Sequence, residues 1–313
     1  MLTKVLLINP SRPKNEVMQE VEKLPPLGLA YLSAVLEKNG IPTDIHDDYL
    51  LNWGNDKVVE LAQDYDIIGI TGLTSTSLVA IELAKRLKNK FLICGGPHAT
   101  LFPEQMIEFF DCVVKGEGEQ VITDIVKNRK TGIIDGIKTE VLDELPLPAR
   151  HKLPMEKYPH KNEFLNSNRV FSLNTSRGCP YNCSFCSVKT IWGRTYRSFS
   201  PKRIIEEIKR LIVDYNANGI YFREDNFTYD KERVKEICAM IKYYDLEWLC
   251  ESRVEHLDEE LTKIMYEAGC RGIWFGTESG SNRILKMLHK GVNKERALET
   301  FKLCRKYKIK TGA

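Results

Sequence analysis

Cys179, Cys183 and Cys186 fall within eight residues, in the run Cys179-Pro180-Tyr181-Asn182-Cys183-Ser184-Phe185-Cys186. The spacing is C-x3-C-x2-C, with Phe185 directly before the last cysteine. Three thiolates this close can ligate three irons of a 4Fe–4S cluster and leave the fourth iron open, which makes the run a candidate catalytic centre. Zinc is a competing occupant, but a structural zinc site needs four protein ligands, commonly two paired sets. The other six cysteines, Cys94, Cys112, Cys238, Cys250, Cys270 and Cys304, are isolated and supply no second pair. Most sit in apolar strand or helix patterns and read as buried small hydrophobes. A cluster used only for electron transfer would need a fourth cysteine brought in by the fold.

The 313 residues suggest two domains. A hydrophobic content of 42% and a charged content of 28% are those of an ordinary globular protein. The net charge of +3 comes without any Lys/Arg block that reads as a nucleic-acid tail. No apolar run approaches the ~18 residues of a membrane span. Residues 1–10 read as a first strand and not as a signal peptide. Nine cysteines without a secretory signal point to a reducing cytoplasm.

The elements that must carry the cysteine run come in two βα series. Residues 1–130 alternate five predicted strands (4–9, 42–46, 66–71, 91–94, 112–115) with helices, which predicts a doubly wound parallel, Rossmann-like sheet. Such sheets hold their ligands at the carboxyl ends of the strands. Residues 131–168 break the rhythm with Leu145-Pro146-Leu147-Pro148 and Leu153-Pro154, and read as an interdomain linker. Residues 169–313 start a second series, with strands at 170–174, 219–223, 248–251 and 272–276 and helices at 201–216, 231–244, 258–268 and 293–307. The cysteine run directly follows the first of these strands. Residues 308–311 look like the start of a fifth strand before the sequence stops at Ala313, so the expectation is a truncated barrel or an edge that a partner covers.

From residue 170 onward the pattern resembles the radical S-adenosylmethionine superfamily, whose signature is C-x3-C-x-aromatic-C after the first barrel strand. The resemblance implies a partial (β/α) barrel in which Cys179, Cys183 and Cys186 ligate the cluster and Phe185 is the signature aromatic. It implies that S-adenosylmethionine chelates the open iron and is cleaved reductively to a 5′-deoxyadenosyl radical. Glu224, Asp225 and Asn226, after the second strand, resemble the segment near the amino group and ribose. Glu251, Ser252 and Arg253 follow the third strand, with Arg253 as the expected partner of the methionine carboxylate. Glu278 and Ser279 belong to an E-S-G-S segment after the fourth strand. Placement at consecutive strand ends is where barrel sites form; the alternative for each residue is a solvated loop charge.

The N-terminal series has no G-x-G-x-x-G after its first strand and no G-x4-G-K-[ST]. Four segments together resemble the cobalamin-binding domain that precedes the barrel in one radical S-adenosylmethionine class. They contain Pro26, Leu27, Gly28 and Leu29; Thr71, Thr74 and Ser75; Gly95, Gly96, Pro97 and His98; and Gly116, Glu117 and Gly118. Glycines admit a close approach of backbone, hydroxyls meet corrin amides, and the Pro-Pro-Leu-Gly-Leu run offers an apolar ledge. The bland alternative is a set of ordinary βα turns. Many such domains carry D-x-H-x-x-G after the first strand; here Asp44-Ile45-His46 goes with the second strand and lacks the glycine. His46 is therefore expected to be a surface or turn histidine and His98 to touch a corrin side chain. The expected cofactor state is base-off cobalamin with no protein histidine on cobalt.

The combined expectation is a cytoplasmic, cobalamin-dependent radical S-adenosylmethionine methyltransferase acting on an unactivated carbon or phosphorus, with methylcobalamin supplying the methyl. Its partners would be a small-molecule substrate and a low-potential electron donor such as a flavodoxin or ferredoxin, with no nucleic acid. The alternatives are a cyclase or ring-contraction enzyme using the same cofactors, or a non-catalytic protein that binds them.

Overall fold

A computed structural model describes residues 3–13 and 23–313, so Met1 and Leu2 of the first predicted run lie outside it. The chain packs as two units, residues 1–140 with 144–159 and residues 141–143 with 160–313.

The first unit holds β1 (Val5–Asn9), β2 (Thr43–Asp47), β3 (Ile67–Thr71), β4 (Phe91–Gly95), β5 (Cys112–Lys115) and β6 (Gly132–Asp135). They form one parallel sheet in the order β2-β1-β3-β4-β5-β6. The central runs are apolar without alternation because both faces are covered. On β1, Leu6 and Ile8 pack with Ile68, Ile70 and Leu83, while Val5 and Leu7 pack on the other face with Leu36, Ile67 and Ile93. Each such side chain contributes about 1.5–3 kcal/mol of burial. The strand order reverses between β1 and β3, so the crevice outside their carboxyl ends is where this topology places a ligand.

The sixth strand lies inside the stretch expected to be a linker. Gly132, at φ +91°, donates its N–H to the Asp111 carbonyl (2.8 Å) and turns the chain back along β5. Only four residues pair there, too short a run for periodicity to register. The proline-bearing segment beyond it packs in this unit through turns at Arg150–Lys152 and Met155–Lys157. The Tyr158 hydroxyl donates to Asp47 Oδ2 at 2.5 Å. His46 also departs from expectation. It lies within β2 and is 4% exposed, so it is not a surface histidine. Its ring packs on Trp53 at 4.7 Å, and Nε2 sits 3.5 Å from Asp48 Oδ1.

The second unit contains β7 (Val170–Leu173), the short hairpin strands β8 (Ser176–Arg177) and β9 (Arg197–Ser198), then β10 (Gly219–Phe222), β11 (Glu247–Ser252), β12 (Cys270–Phe275) and β13 (Lys310–Gly312). Its parallel sheet runs in the order β13-β12-β11-β10-β7, the sequential winding of a (β/α) barrel. Helices Pro201–Tyr215, Lys231–Ile241, Glu259–Glu267 and Lys294–Lys306 link these strands. Ser200, Asp230, Asp258 and Asn293 cap them, each accepting from the backbone N–H three residues on. Each cap is worth about 1 kcal/mol and fixes where its loop ends. Trp248 is fully buried against Phe222 and Phe227. Helices Val188–Ile191 and Asn282–Met287 were not foreseen.

All six isolated cysteines are buried, as expected. Among the described residues, no helix is long and apolar enough to cross a membrane.

Candidate functional site

In the second unit, the loop after β7 is pinned at both ends. Gly178 has φ +84°, and a side chain there would run into the Thr195 carbonyl, so the turn into Cys179 requires glycine. Beyond it, Cys186 N donates to Cys183 O (3.2 Å) and Ser184 N to Leu288 O (3.0 Å), which ties the loop to the chain after helix Asn282–Met287. Cys183 is buried, whereas Cys179 and Cys186 are partly exposed. Burial pushes the Cys179 thiol up; the neighbouring charges of Asp225 and Cys186 push it further, while a backbone N–H and Arg253 pull it down. Phe185 is half-exposed, with Lys290 Nζ 5.8 Å from its ring centre. Among the described residues, no three His, Cys, Asp or Glu side chains stand at metal-ligating geometry. The three thiols share one pinned loop, and that donor set suits iron and sulfide.

The strand-end residues surround this loop. Glu224 is buried and accepts from the Thr175 and Ser176 hydroxyls. Burial raises its carboxyl to about 7, against the pull of Arg233 and the Thr175 hydroxyl. Asp225 is raised to about 6, by desolvation and by the Glu251 charge. Asn226 is fully buried; its Nδ2 lies 3.4 Å from His256 Nε2, and its Oδ1 has no partner among the described residues. An orphaned buried acceptor beside two carboxylates fits a ligand bearing an ammonium or hydroxyl group. Glu251 accepts from the Tyr221 hydroxyl at 2.5 Å. The Ser252 hydroxyl is paired with that of Thr228. Glu278, at φ +62°, takes an ion pair from Lys290 at 3.0 Å. Ser279 is spent on its own turn, its Oγ accepting from Ser281 N at 3.1 Å.

Arg253 is 4% exposed and is already engaged by protein groups. Its Nε donates to Glu255 at 2.6 Å, its Nη1 to Cys183 Sγ at 3.4 Å, and its Nη2 to the Lys290 carbonyl. The Tyr181 ring lies under the guanidinium at 3.8 Å. The Tyr181 hydroxyl reaches His256 Nε2 at 2.9 Å, and burial pushes the His256 imidazole below its ordinary value. Lys290, Tyr181, His256, Thr175 and Ser176 are the residues the sequence reading missed. Tyr181 stood inside the cysteine run, but a lone Lys before a glycine carries no pattern.

In the first unit, the loops after β3, β4 and β5 are stitched together. Gly72 N donates to Gly95 O (3.1 Å), His98 N to Gly72 O (2.9 Å), Thr100 Oγ1 to Gly96 O (2.9 Å) and Gly116 N to Thr100 Oγ1 (2.9 Å). Gly96 has φ +94°, and a Cβ there would lie 2.6 Å from Thr71 Oγ1. Pro97 opens the short helix that carries His98. His98 Nδ1 pairs with Thr74 Oγ1 (3.2 Å), while its buried Nε2 has no partner among the described residues. Ser75 lies in the same turn as Thr74, and Leu73 and Phe102 are each about half exposed. Hydroxyls, an orphaned ring nitrogen and exposed apolar side chains at one set of strand ends fit a broad ring edged with amides.

Four expected contacts fare differently. Leu29 is buried in the core beside Val35 and Leu36, so it forms no ledge, although Pro26 and Leu27 stay partly exposed. Gly28 has open space where a Cβ would sit. Glu117 is buried and accepts from Thr139 N (3.3 Å), a structural task, while Gly118 lets Leu32 approach its backbone.

Residues 173–313 match the radical SAM superfamily, and residues 21–126 match the B12 binding domain. An uncharacterized methyltransferase of Pyrococcus horikoshii is 34% identical, over 97% of this chain and 72% of its own length. The cytidylyl-2-hydroxyethylphosphonate methyltransferase of Streptomyces wedmorensis is 28% identical, over 96% of this chain and 70% of its own length. The cobalamin-dependent S-adenosylmethionine radical enzyme OxsB, solved with aqua-cobalamin and S-adenosylmethionine bound, has the same fold at a TM-score of 0.80 and 20% identity. That alignment covers 99% of this chain and 48% of OxsB, so the chain spans about half of that solved protein.

Proposed function

We infer a methyl-transfer function from one premise: this chain belongs to the radical SAM superfamily and carries a B12 binding domain ahead of the superfamily's barrel. The reading is a cobalamin-dependent radical S-adenosylmethionine methyltransferase whose substrate is a small molecule. Its main support is the loop of Cys179, Cys183 and Cys186, pinned by Gly178 and by Ser184, with an unpaired buried acceptor at Asn226 nearby. When bound, the cluster would supply the open iron at which S-adenosylmethionine is cleaved, and the cobalamin would supply the methyl group.

The chain's own residues would do the holding. Cys179, Cys183 and Cys186 ligate the cluster, and Phe185 lines the space beside it. Asn226 Oδ1 and the carboxylates of Asp225 and Glu251 receive the amino and hydroxyl groups of S-adenosylmethionine. Glu224 fixes the β7 loop by accepting from Thr175 and Ser176. In the first unit, Thr71, Thr74, Ser75, His98 and the backbone around Gly95, Gly96 and Gly116 take the corrin's amide arms.

Bound cobalamin would be base-off, with no protein histidine on cobalt. His46, inside β2, is committed to Asp48, and His98, held at Nδ1 by Thr74, would offer its unpartnered Nε2 to a corrin amide. An electron paramagnetic spectrum of bound cob(II)alamin with splitting from an axial imidazole nitrogen would contradict this. Nine free cysteines suit a reducing cytoplasm, where a low-potential flavodoxin or ferredoxin supplies electrons. The test of the function is S-adenosylmethionine carrying an isotope in its methyl group: label is expected in the product. Turnover to 5′-deoxyadenosine with unlabelled product would point to cyclisation instead.

A further inference from the structure

We propose that Arg253 is a positioning residue for the cluster, donating a charged hydrogen bond to the Cys183 sulfur and thereby raising the cluster's reduction potential. The inference rests on the reading that Cys179, Cys183 and Cys186 hold that cluster. It reassigns Arg253, which the sequence suggested as the partner of a methionine carboxylate.

The geometry carries it. The guanidinium stays charged at any working pH, and a fork of fixed donors can serve a carboxylate bidentately only along a free edge. Here Nε is taken by Glu255 Oε1 at 2.6 Å, and Nη2 is shared between the same carboxylate at 2.5 Å and the Lys290 carbonyl. The edge formed by Nε and Nη2 is therefore closed. On the other edge, Nη1 points at Cys183 Sγ, 3.4 Å away. The Tyr181 ring closes one face at 3.8 Å. Tyr181 lies inside the cysteine run, and Lys290 follows Leu288, whose carbonyl receives Ser184 N. Tyr181 and Cys183 thus belong to the loop that carries the thiolates and Lys290 lies two residues beyond the one bonded to it, while Glu255 fixes the guanidinium from Arg253's own segment.

A donor held at a ligating sulfur stabilises negative charge there. The reduced cluster carries one more electron than the oxidised one, so the reduced state gains more and the potential rises. Burial strengthens the effect by keeping water from competing for the same sulfur. The Glu255 carboxylate holds the arginine in place but does not reach the sulfur through any described contact.

The experiment compares wild type, Arg253→Met, Arg253→Lys and Glu255→Gln after anaerobic reconstitution. Iron and sulfide are counted first; wild type that assembles no cluster overturns the underlying reading and not this inference alone. Where clusters assemble, the midpoint is measured by a potentiometric titration followed by electron paramagnetic resonance, without S-adenosylmethionine, and its dissociation constant is measured separately. The expected result is a more negative midpoint in Arg253→Met and partial recovery in Arg253→Lys. Glu255→Gln loses a tether of the arginine but also a nearby negative charge, so its midpoint should stay above that of Arg253→Met, with affinity for S-adenosylmethionine changed by less than about threefold in each variant. An unchanged midpoint with affinity lost by about tenfold or more would overturn the proposal in favour of the carboxylate role. If Arg253→Met assembles no cluster, wild type containing 15N-arginine decides the matter. Pulsed resonance of its reduced cluster should detect a coupled 15N nucleus, and absence of that coupling would refute the proposal.

Discussion

Replacing Glu224 with glutamine should stabilise the apoprotein in alkaline buffer and leave its stability almost unchanged in acid. Glu224 is buried beside β7, and burial raises its carboxyl from 4.5 to about 7. Arg233 and the Thr175 hydroxyl oppose that rise, while Asp225 and Glu251 add to it. Below pH 4.5 the group is protonated in both the folded and the unfolded chain and contributes no pH dependence. Between 4.5 and about 7 the unfolded chain releases its proton while the fold retains it, so stability falls as pH rises. The gap corresponds to a loss of about 3 kcal/mol, complete above the folded value. Glutamine is neutral throughout and can still accept from Thr175 or Ser176. Groups that do not interact with Glu224 cancel in the difference between them. Urea unfolding of both proteins from pH 5 to pH 8.5, followed by tryptophan fluorescence with Trp248 as the buried reporter, measures that difference. It should grow by about 2.5 kcal/mol across the range. A difference that stays flat, or that shrinks with pH because pairing with Arg233 outweighs burial, would refute the reasoning.

Other substitutions test neighbouring parts of the account. Gly96→Ala places a Cβ 2.6 Å from Thr71 Oγ1 at a φ of +94°; it should cost about 2–4 kcal/mol in urea unfolding and weaken cobalamin binding in a spectral titration. Cys183→Ala should abolish cluster assembly, read as loss of iron and sulfide, whereas Cys304→Ala should retain the wild-type content. Asn226→Leu removes the orphaned acceptor, so affinity for S-adenosylmethionine should fall by about tenfold in equilibrium dialysis, with iron content unchanged. Trp248→Ala empties the space against Phe222 and Phe227 and should cost about 3–5 kcal/mol in the same urea assay.

Periodicity made most of the two sheets legible, because buried parallel strands read as unbroken apolar runs such as Ile67–Thr71 and Cys112–Lys115. Strand β6 escaped because it is four residues long and alternates as an edge strand. Helix Asn282–Met287 escaped because it is shorter than two turns and follows a Gly-Ser-rich stretch that reads as loop. The cysteine run was legible from spacing alone, and the cluster proposal rests on it, since three thiols in eight residues leave few other uses. What fixes that loop could not be read along the chain: Arg253, Glu255 and Lys290 lie 67 to 107 residues beyond Cys183–Cys186, by 253 − 186 and 290 − 183. Their meeting depends on the parallel pairing of β11 with β12. His46 was misjudged because a histidine in a short strand gives no sign of which face it takes, and here it takes the core.

The central claim is that one chain holds a radical-generating cluster and a cobalamin. Its most direct test is anaerobic reconstitution with iron, sulfide and cobalamin, followed by metal analysis and addition of S-adenosylmethionine with a low-potential reductant. The account predicts about four irons and one cobalamin per chain, with 5′-deoxyadenosine released. Protein that keeps zinc in place of iron and sulfide, or that holds both cofactors yet releases no 5′-deoxyadenosine, would contradict it.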